Sequence, residues 1–135
     1  MINRKEINKS FIGQHDLTDC GAACLLMLVR YYGGDSSIVH LRELSGTSNC
    51  GTTLLGLCQA AHNIGFSARG VEADSIQELR SLDSPCILSV RIEEKYDHYI
   101  VCWGFCNGKY IIGDPGRGIL EMSEQELCAI WNNKC

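Results

Sequence analysis

The fold depends on one helical stretch, which reads Cys20-Gly21-Ala22-Ala23-Cys24-Leu25-Leu26-Met27-Leu28-Val29-Arg30-Tyr31-Tyr32. Thr18 and Asp19 precede it and are residue types that cap helix starts. Gly33-Gly34 follows it, in the way that helices usually end. Apolar residues lie nearly all round this stretch, so we predict a buried helix.

Outward from this helix, the pattern predicts shorter helices and then strands. Ser75 with Glu78 and Ser123 with Glu126 are capping-box pairs, each of which opens a helix. The shorter predicted helices cover residues 37–44, 53–63, 75–82 and 123–131. The predicted strands cover 66–71 (weakly), 86–92, 99–105, 109–112 and 118–121, with Asn107-Gly108 as a hairpin turn. Helices in the first half and antiparallel strands in the second predict an α+β fold.

Length and composition narrow the class of protein. With 135 residues, 45% of them apolar and 21% charged, we expect a single globular domain over residues 1–135. Twelve basic against sixteen acidic residues give a formal charge of −4, which argues against nucleic-acid binding and against anionic lipid. The longest apolar run extends only from Ala22 to Val29, so we expect no direct membrane insertion.

The nine cysteines call for an explanation. Nine is odd, so complete internal pairing is impossible, and the N-terminus shows no secretory signal. A chain kept in a reducing compartment has free thiols by default, and most of these cysteines lie in apolar runs, where they act as small core residues. We expect Cys135 to be exposed and to cross-link on oxidation.

Cys20 differs from the other cysteines because it opens the buried helix. The partial positive charge of a helix N-terminus favours the thiolate, which makes Cys20 a candidate nucleophile. Its position alone is equally compatible with a purely structural cysteine.

A nucleophilic cysteine needs a base, and His98 is the best placed histidine. It follows a polar loop and opens an apolar strand, so it can face a helix end packed against the rim of the sheet. Asp114 ends the neighbouring predicted strand and can orient His98, although Asp114-Pro115-Gly116 is also ordinary turn chemistry. The remaining histidines, His15, His40 and His62, are expected to be solvated or structural.

Gln14 stands six residues before Cys20. Its side-chain amide and the backbone N–H of Cys20 could together stabilise an oxyanion. The competing interpretation is a surface glutamine without a role.

Taken together, these residues resemble a known family. Gln14-x5-Cys20-Gly21, His98-Tyr99-x-Val101 and Asp114-Pro115 look like the motifs of the double-glycine leader peptidases, which are papain-like cysteine proteases. The likeness spans nearly the whole chain and includes Gly51-Thr52, Gly65 and Trp131. Members of this family usually form the N-terminal cytosolic domain of ABC exporters for bacteriocins or peptide pheromones.

The resemblance implies a role for each residue. Cys20 would be the nucleophile, His98 the general base and acid, Asp114 the residue that orients His98, and Gln14 the oxyanion donor. The reaction would split a leader after Gly-Gly or Gly-Ala, and the rest of the leader would bind as an amphipathic helix in a shallow groove.

The resemblance also implies partners and a location. The partners would be the leader peptide of a precursor and the transmembrane and ATPase domains of an exporter, at the cytosolic face of a bacterial membrane. We expect no cofactor and no metal in this chain, because ATP would bind the separate ATPase domain. At 135 residues the chain has no room for those domains, so we expect an excised domain or a free-standing peptidase.

Three alternatives remain open at this stage. The chain could be a docking domain that binds substrate without cleaving it, or a papain-like amidase or acyltransferase with another substrate. Cys20-x3-Cys24 and Cys102-x3-Cys106 also suggest a zinc module, although structural zinc sites favour tighter Cys-x2-Cys turns. Asp97, next to His98, is expected to face solvent.

Overall fold

A computed structural model describes residues 2–14, 17–48 and 51–135 of the chain. The helices are α1 (Arg4–Ser10), α2 (Cys20–Tyr31), α3 (Ile38–Ser45), α4 (Leu54–Asn63), α5 (Ile76–Arg80) and α6 (Glu124–Ile130), with a short 3-10 turn at Leu17–Asp19 before α2. The strands are β1 (Cys86–Ile92), β2 (Tyr96–Cys106), β3 (Lys109–Asp114), β4 (Gly118–Met122) and β5 (Trp131–Lys134).

The strands form one antiparallel sheet in the order β4-β3-β2-β1-β5. Its centre is the hairpin of β1 and β2, in which Val90 lies opposite His98. In the next hairpin Val101 lies opposite Gly113, and the register shifts between Cys102 and Gly104. The predicted α+β arrangement, with helices first and the antiparallel sheet second, is confirmed.

Helix α2 lies between the sheet and helices α3 and α4. One side of it contributes Cys24 and Met27 to a cluster with Val101, Trp103 and Ile111 of the sheet. The residues of its other side join α3 and α4 in a second cluster of buried residues, made of Ala22, Leu25, Leu26, Leu41, Ala60 and Ala61. Apolar contacts on both sides explain why α2 is hydrophobic nearly all round, as its sequence predicts.

The opposite face of the sheet carries its own core. Leu88, Val90, Ile100 and Tyr110 are fully buried there. They pack against residues from α5, β4, α6 and β5, namely Leu79, Met122, Leu127 and Trp131. Because neighbouring residues of a strand point to opposite faces, β2 supplies both cores alternately.

Several predicted boundaries need correction. Residues 66–71 form no strand; pairing there begins only where the Val71 N–H donates to the Cys135 carbonyl at 2.8 Å, next to an isolated bridge between Glu72 and Lys134. The last helix ends at Ile130 and not at Trp131, which instead opens β5. Neither β5 nor α1 is predicted from the sequence pattern.

The two predicted capping boxes have different outcomes. Ser123 accepts a hydrogen bond from the Glu126 N–H, and the Glu126 carboxylate accepts one from the Ser123 N–H, so this box forms. Ser75 makes no side-chain cap, because the Glu78 carboxylate instead accepts from the N–H of Asp74 at 2.5 Å. The prediction at Ser75 is therefore wrong in its hydrogen bonds, although a short helix does start there.

The helices of the described residues are short. Helix α2 has 12 residues, whereas a bilayer-spanning helix needs about 20. Across residues 2–14, 17–48 and 51–135, the structure contains no helix long and apolar enough to cross a membrane.

Candidate active site

Cys20 is the first residue of α2 and is buried. The thiol therefore lies at the N-terminal end of the helix, where the helix dipole carries partial positive charge. The next residue, Gly21, lets the helix end pack closely: a Cβ there would lie 3.2 Å from both Leu57 Cδ2 and Thr52 Cβ. The preceding residue, Asp19, is buried and forms an ion pair with Arg42 of α3.

His98 lies near the start of β2 and is only 5% exposed. Its Nε2 donates to Asp114 Oδ1 at 2.8 Å, since an ionised carboxylate can only accept. Its remaining nitrogen, Nδ1, is then available to the Cys20 thiol, which lies close enough to help raise the pKa of His98. The ring of Tyr96 packs edge-on against the imidazole, 6.1 Å between centroids.

Asp114 ends β3 and is 2% exposed, yet both of its carboxylate oxygens are bonded. In addition to His98, Oδ1 accepts from the Gly116 N–H at 2.8 Å, and Oδ2 accepts from Arg117 Nε at 3.0 Å. Continued towards the turn, the ladder that pairs Val101 with Gly113 sets Asp114 diagonally across from His98. The register expected from the sequence therefore brings the two side chains together.

The pKa of His98 is raised and the pKa of Asp114 is lowered, and both shifts favour an ion pair. Burial alone would lower the pKa of His98, but the hydrogen bonds with Asp114 and Cys20 outweigh it and raise that pKa to about 9. Burial alone would raise the pKa of Asp114, but the bonds from His98 and from the Gly116 N–H lower it below its ordinary value. At neutral pH the pair is imidazolium and carboxylate.

Gln14 is brought to the same rim by its backbone. Its N–H donates to the carbonyl of Pro115 at 2.9 Å, which fixes it beside the turn that follows β3. A Cβ added at Gly116 would lie 3.8 Å from Gln14 Oε1 and 3.4 Å from Asp114 Oδ1, so the amide is a near neighbour of the carboxylate. Gln14 Oε1 is buried and has no hydrogen-bond partner in the part of the chain that the structure describes.

The structure thus joins His98 and Asp114 by a hydrogen bond, brings Cys20 close to His98 and places Gln14 beside the Asp114 turn. His40 and His62 lie exposed on α3 and α4, as expected, while His15 and Cys50 fall outside the described residues. Asp97 faces solvent with 78% of its side chain exposed and pairs with Arg91, which confirms that expectation.

Sequence reasoning missed the residues that hold Asp114. Gly116 and Arg117 both bond its carboxylate, and Arg117 is the one side chain of the turn that does so among those described. The signal was present in the sequence, because an Asp two residues before a turn N–H commonly accepts from it. A basic residue at the third position after Asp114 was the further clue.

The described residues do not support the alternative of a zinc module. Cys24 packs between α2 and the sheet, Cys102 lies in the core on the other face, and Cys106 is exposed. Among the described residues, no three His, Cys, Asp or Glu side chains are placed to hold a metal ion. Cys24, Cys102 and Cys106 therefore lie in three different environments and do not form a zinc site.

Comparison with known proteins agrees with this geometry. The family model described as the peptidase C39 family matches residues 8–135. The chain belongs to the peptidase C39 family. This is a family of cysteine peptidases, so the resemblance seen in the sequence and the papain-like fold that it implied are confirmed.

The C39 chain is similar to two curated processing and transport proteins. It is 34% identical over 124 residues to the lactococcin-G-processing and transport ATP-binding protein LagD of Lactococcus lactis subsp. lactis, covering 91% of this chain. It is 40% identical over 127 residues to the pediocin PA-1 transport/processing ATP-binding protein PedD of Pediococcus acidilactici, covering 92% of this chain. The matched part spans 18% of the length of each relative.

Two solved structures share the fold. The peptidase domain of Streptococcus ComA, a bi-functional ABC transporter involved in quorum sensing, is 36% identical with a TM-score of 0.83, over 91% of this chain and 92% of that one. A double-glycine motif protease from an AMS/PCAT transporter, solved with its leader peptide, is 28% identical with a TM-score of 0.82. That match covers 92% of this chain and 86% of the other.

Proposed function

We propose that this C39 domain removes the leader of a precursor peptide by cleaving after a Gly-Gly or Gly-Ala pair. The observation that carries the proposal is the buried His98–Asp114 hydrogen bond beside Cys20, which opens a buried helix. A related double-glycine protease solved with a leader peptide supports the same class of substrate.

In the first step, the Cys20 thiolate attacks the carbonyl carbon of the second small residue of the pair. Charge develops on the carbonyl oxygen at the N-terminal end of α2, where the positive end of the helix dipole and the Cys20 backbone N–H would stabilise it. The Gln14 amide is the second donor. Since no described group holds its Oε1, the amide can turn its nitrogen towards the oxyanion.

In the second step, the His98 imidazolium donates its proton to the leaving amine, and the leader remains as a thioester on Cys20. Neutral His98 then takes a proton from a water molecule, which hydrolyses the thioester and restores the starting pair. Asp114 keeps the ring oriented and stabilises its charge throughout. The proposed reaction uses side chains and water alone, so it includes no cofactor in this chain.

A groove beside Cys20 fits the rest of the leader. It has a volume of about 670 Å³, and Asp19, the residue before Cys20, lies in its wall. Its apolar lining includes Val39, which is 68% exposed on α3. The groove is lined by Ile12, Leu26, Ile38, Val39 and Thr47 with the charged or polar residues Asp19, Ser37, Arg42 and Glu43. An amphipathic leader helix would bury its apolar side there and meet these charges at the edge.

The likeness to processing and transport proteins supports a role within export. We propose that residues 1–135 act as one peptidase domain beside the transmembrane and ATPase parts of an ABC exporter, at the cytosolic face of the membrane. In that setting, leader removal precedes or accompanies transport of the cargo.

The test is cleavage of a synthetic precursor peptide that carries a Gly-Gly leader, followed by mass spectrometry. We expect cleavage after the second glycine by the native chain and none by Cys20→Ala, while Cys128→Ala, which removes an exposed thiol, cuts normally. Full activity in Cys20→Ala would overturn the mechanism. A native chain that binds the peptide without cutting it would indicate a docking domain, and one that leaves it unbound and uncut would indicate another amide substrate.

A further inference from the structure

Three thiols meet on the face of the sheet opposite α2. Cys86 of β1 lies directly across the ladder from Cys102 of β2. Continued one residue past its last pair, the antiparallel ladder between β1 and β5 sets Cys135 diagonally across from Cys86. Cys86 interacts electrostatically with both Cys102 and Cys135. Cys102 belongs to the core of that face, and Cys86 and Cys135 are partly buried residues packed against it. None of the three takes part in the candidate active site.

The backbone holds Cys135 in this cluster. The Val71 N–H donates to the Cys135 carbonyl at 2.8 Å, and the Cys135 N–H donates to the Val71 carbonyl at 3.0 Å. The preceding residues are tied in the same way, since the Ala73 N–H donates to the Asn133 carbonyl at 2.7 Å. The expectation that Cys135 is exposed is therefore wrong: it is half-buried, and the exposed described cysteines are Cys106 and Cys128.

We propose that Cys86 and Cys135 form a reversible disulfide when the protein meets a peroxide. The two side chains lie diagonally across one ladder and pack on the same core, and both are partly accessible to a solvent-borne oxidant. The site is separate from Cys20, so this inference does not depend on the proposed peptidase mechanism.

The interaction between the two thiols shifts their pKa values in opposite directions. The bond from Cys86 lowers the pKa of Cys135 to about 7, against the opposing effects of burial and of the Glu78 carboxylate. The bonds to Cys102 and Cys135, together with burial, raise the pKa of Cys86. Cys135 is therefore the attacking thiolate, and Cys86 stays protonated until it is needed.

The chemistry balances in two steps. The Cys135 thiolate attacks hydrogen peroxide, breaks the O–O bond and becomes a sulfenic acid, releasing hydroxide that takes up a proton to form water. The Cys86 sulfur then attacks the Cys135 sulfur, and the hydroxyl group leaves with the Cys86 proton as a second water molecule. Two thiols are oxidised to one disulfide while one peroxide is reduced to two waters.

The disulfide would link the start of β1 to the segment that follows β5. It closes the chain between residues 86 and 135, which includes all of the sheet. Because a cross-link over a loop of this length restricts the unfolded chain, we expect oxidation to raise Tm by about 5 °C.

The experiment maps disulfides in the Cys20→Ala chain, so that oxidation of the nucleophile does not interfere. The protein is treated with a small excess of hydrogen peroxide, its free thiols are alkylated, and its peptides are identified by mass spectrometry. We expect a Cys86–Cys135 peptide pair, the rise in Tm, and reversal of both by dithiothreitol. In Cys86→Ser, dimedone should instead trap a sulfenic acid on Cys135.

Matched controls separate this pair from general thiol reactivity. Cys106→Ser and Cys128→Ser remove the exposed thiols and should leave the cross-link unchanged, whereas Cys135→Ser should abolish it. Oxidation first at Cys106 or Cys128, a Cys86–Cys102 pair in place of Cys86–Cys135, or a disulfide between two chains would each overturn the proposal. Cys20→Ser in place of Cys20→Ala provides an independent background for the same map.

Discussion

The helical half of the molecule, α1 to α4, and the sheet half, β1 to β5, contribute to the candidate site in different ways. The helical half supplies Cys20 and positions it by close packing, with Gly21 leaving room for Leu57 and Thr52. The sheet half supplies His98 and Asp114 and positions them by direct hydrogen bonds. Changes in the helical half should therefore act through packing, and changes in the sheet half through protonation.

One hydrogen bond joins the two halves behind the site. The Tyr99 hydroxyl of β2 donates to the carbonyl of Thr52, just before α4, at 2.9 Å. Thr52 is also a contact of Gly21, so the residue next to Cys20 and the residue next to His98 share one neighbour. The two halves are thus held in register close to the proposed chemistry.

Within the sheet half, the largest expected effect comes from removing the base. His98→Ala should lower kcat/KM for the Gly-Gly leader peptide by about 10³-fold, because both proton transfers then lack their side chain. The matched control is His62→Ala, an exposed histidine in the helical half, which should cut at the native rate. Less than a tenfold loss in His98→Ala, measured by initial rates of cleavage, would remove His98 from the mechanism.

One glycine in each half is so closely packed that its replacement by alanine should disrupt the packing of that half alone. In Gly56→Ala the new Cβ would lie 2.1 Å from the Ser45 carbonyl oxygen, and in Gly113→Ala it would lie 2.3 Å from the Trp103 ring. We expect each to lower the free energy of unfolding by about 3 kcal/mol in urea denaturation, because backbone or a large ring must move. Gly113 adjoins Asp114, so only Gly113→Ala should also lower kcat of the folded fraction.

If Gly56→Ala lowered kcat as much as Gly113→Ala at a temperature where both are folded, packing and chemistry would not divide between the halves as described. Equal unfolding free energies for Gly56→Ala and the native chain would likewise contradict the close contact with Ser45.

The elements that sequence predicts well are those with strong local signals. Helix α2 has an apolar surface nearly all round and a Gly-Gly stop, and the hairpins have turn sequences between β-rich runs. Helix α1 is mostly polar and buries only Ile7 and Ser10, so its pattern was weak, although Asn3 does accept from the Glu6 N–H. Strand β5 reads Trp-Asn-Asn-Lys, and it forms because β1 offers an edge for pairing.

The candidate site shows the same division. Cys20 is marked by its helix start, and His98 with Asp114 by strand order, so these three could be predicted. The contact of Gln14 with the Asp114 turn depends on how a loop crosses the end of β3, which no local pattern encodes. The meeting of Cys86 with Cys135 likewise depends on a strand that the pattern did not reveal.

Titration of His98 in the sheet half should make the stability of the protein depend on pH. The folded pKa of His98, about 9, lies above the unfolded value of 6.5, so its stabilisation is complete below about pH 6.5 and is lost as the pH rises to about 9. We expect the free energy of unfolding to fall by about 2 kcal/mol over that range. In Asp114→Asn this fall should become smaller, because one of the two groups that raise the His98 pKa is no longer charged.

We expect the same group to set the alkaline limit of activity, because in the proposed mechanism neutral His98 could not protonate the leaving amine. The kcat/KM profile should therefore decline near pH 9 in the native chain and at a lower pH in Asp114→Asn. A decline centred near pH 6.5 in the native chain would show that Asp114 does not control His98.

The smallest expected effect is a loss of helix stability in the sheet half that leaves the candidate site unchanged. Ser123→Ala removes a complete capping box at α6 and should lower the free energy of unfolding by about 1 kcal/mol, measured by urea denaturation. Ser75→Ala is the matched control at α5: Ser75 makes no side-chain cap, so its loss should leave stability nearly unchanged. Neither variant should alter kcat/KM, because α6 supports the sheet face away from Cys20. A loss of activity in Ser123→Ala would mean that the sheet half transmits its packing, as well as its hydrogen bonds, to His98.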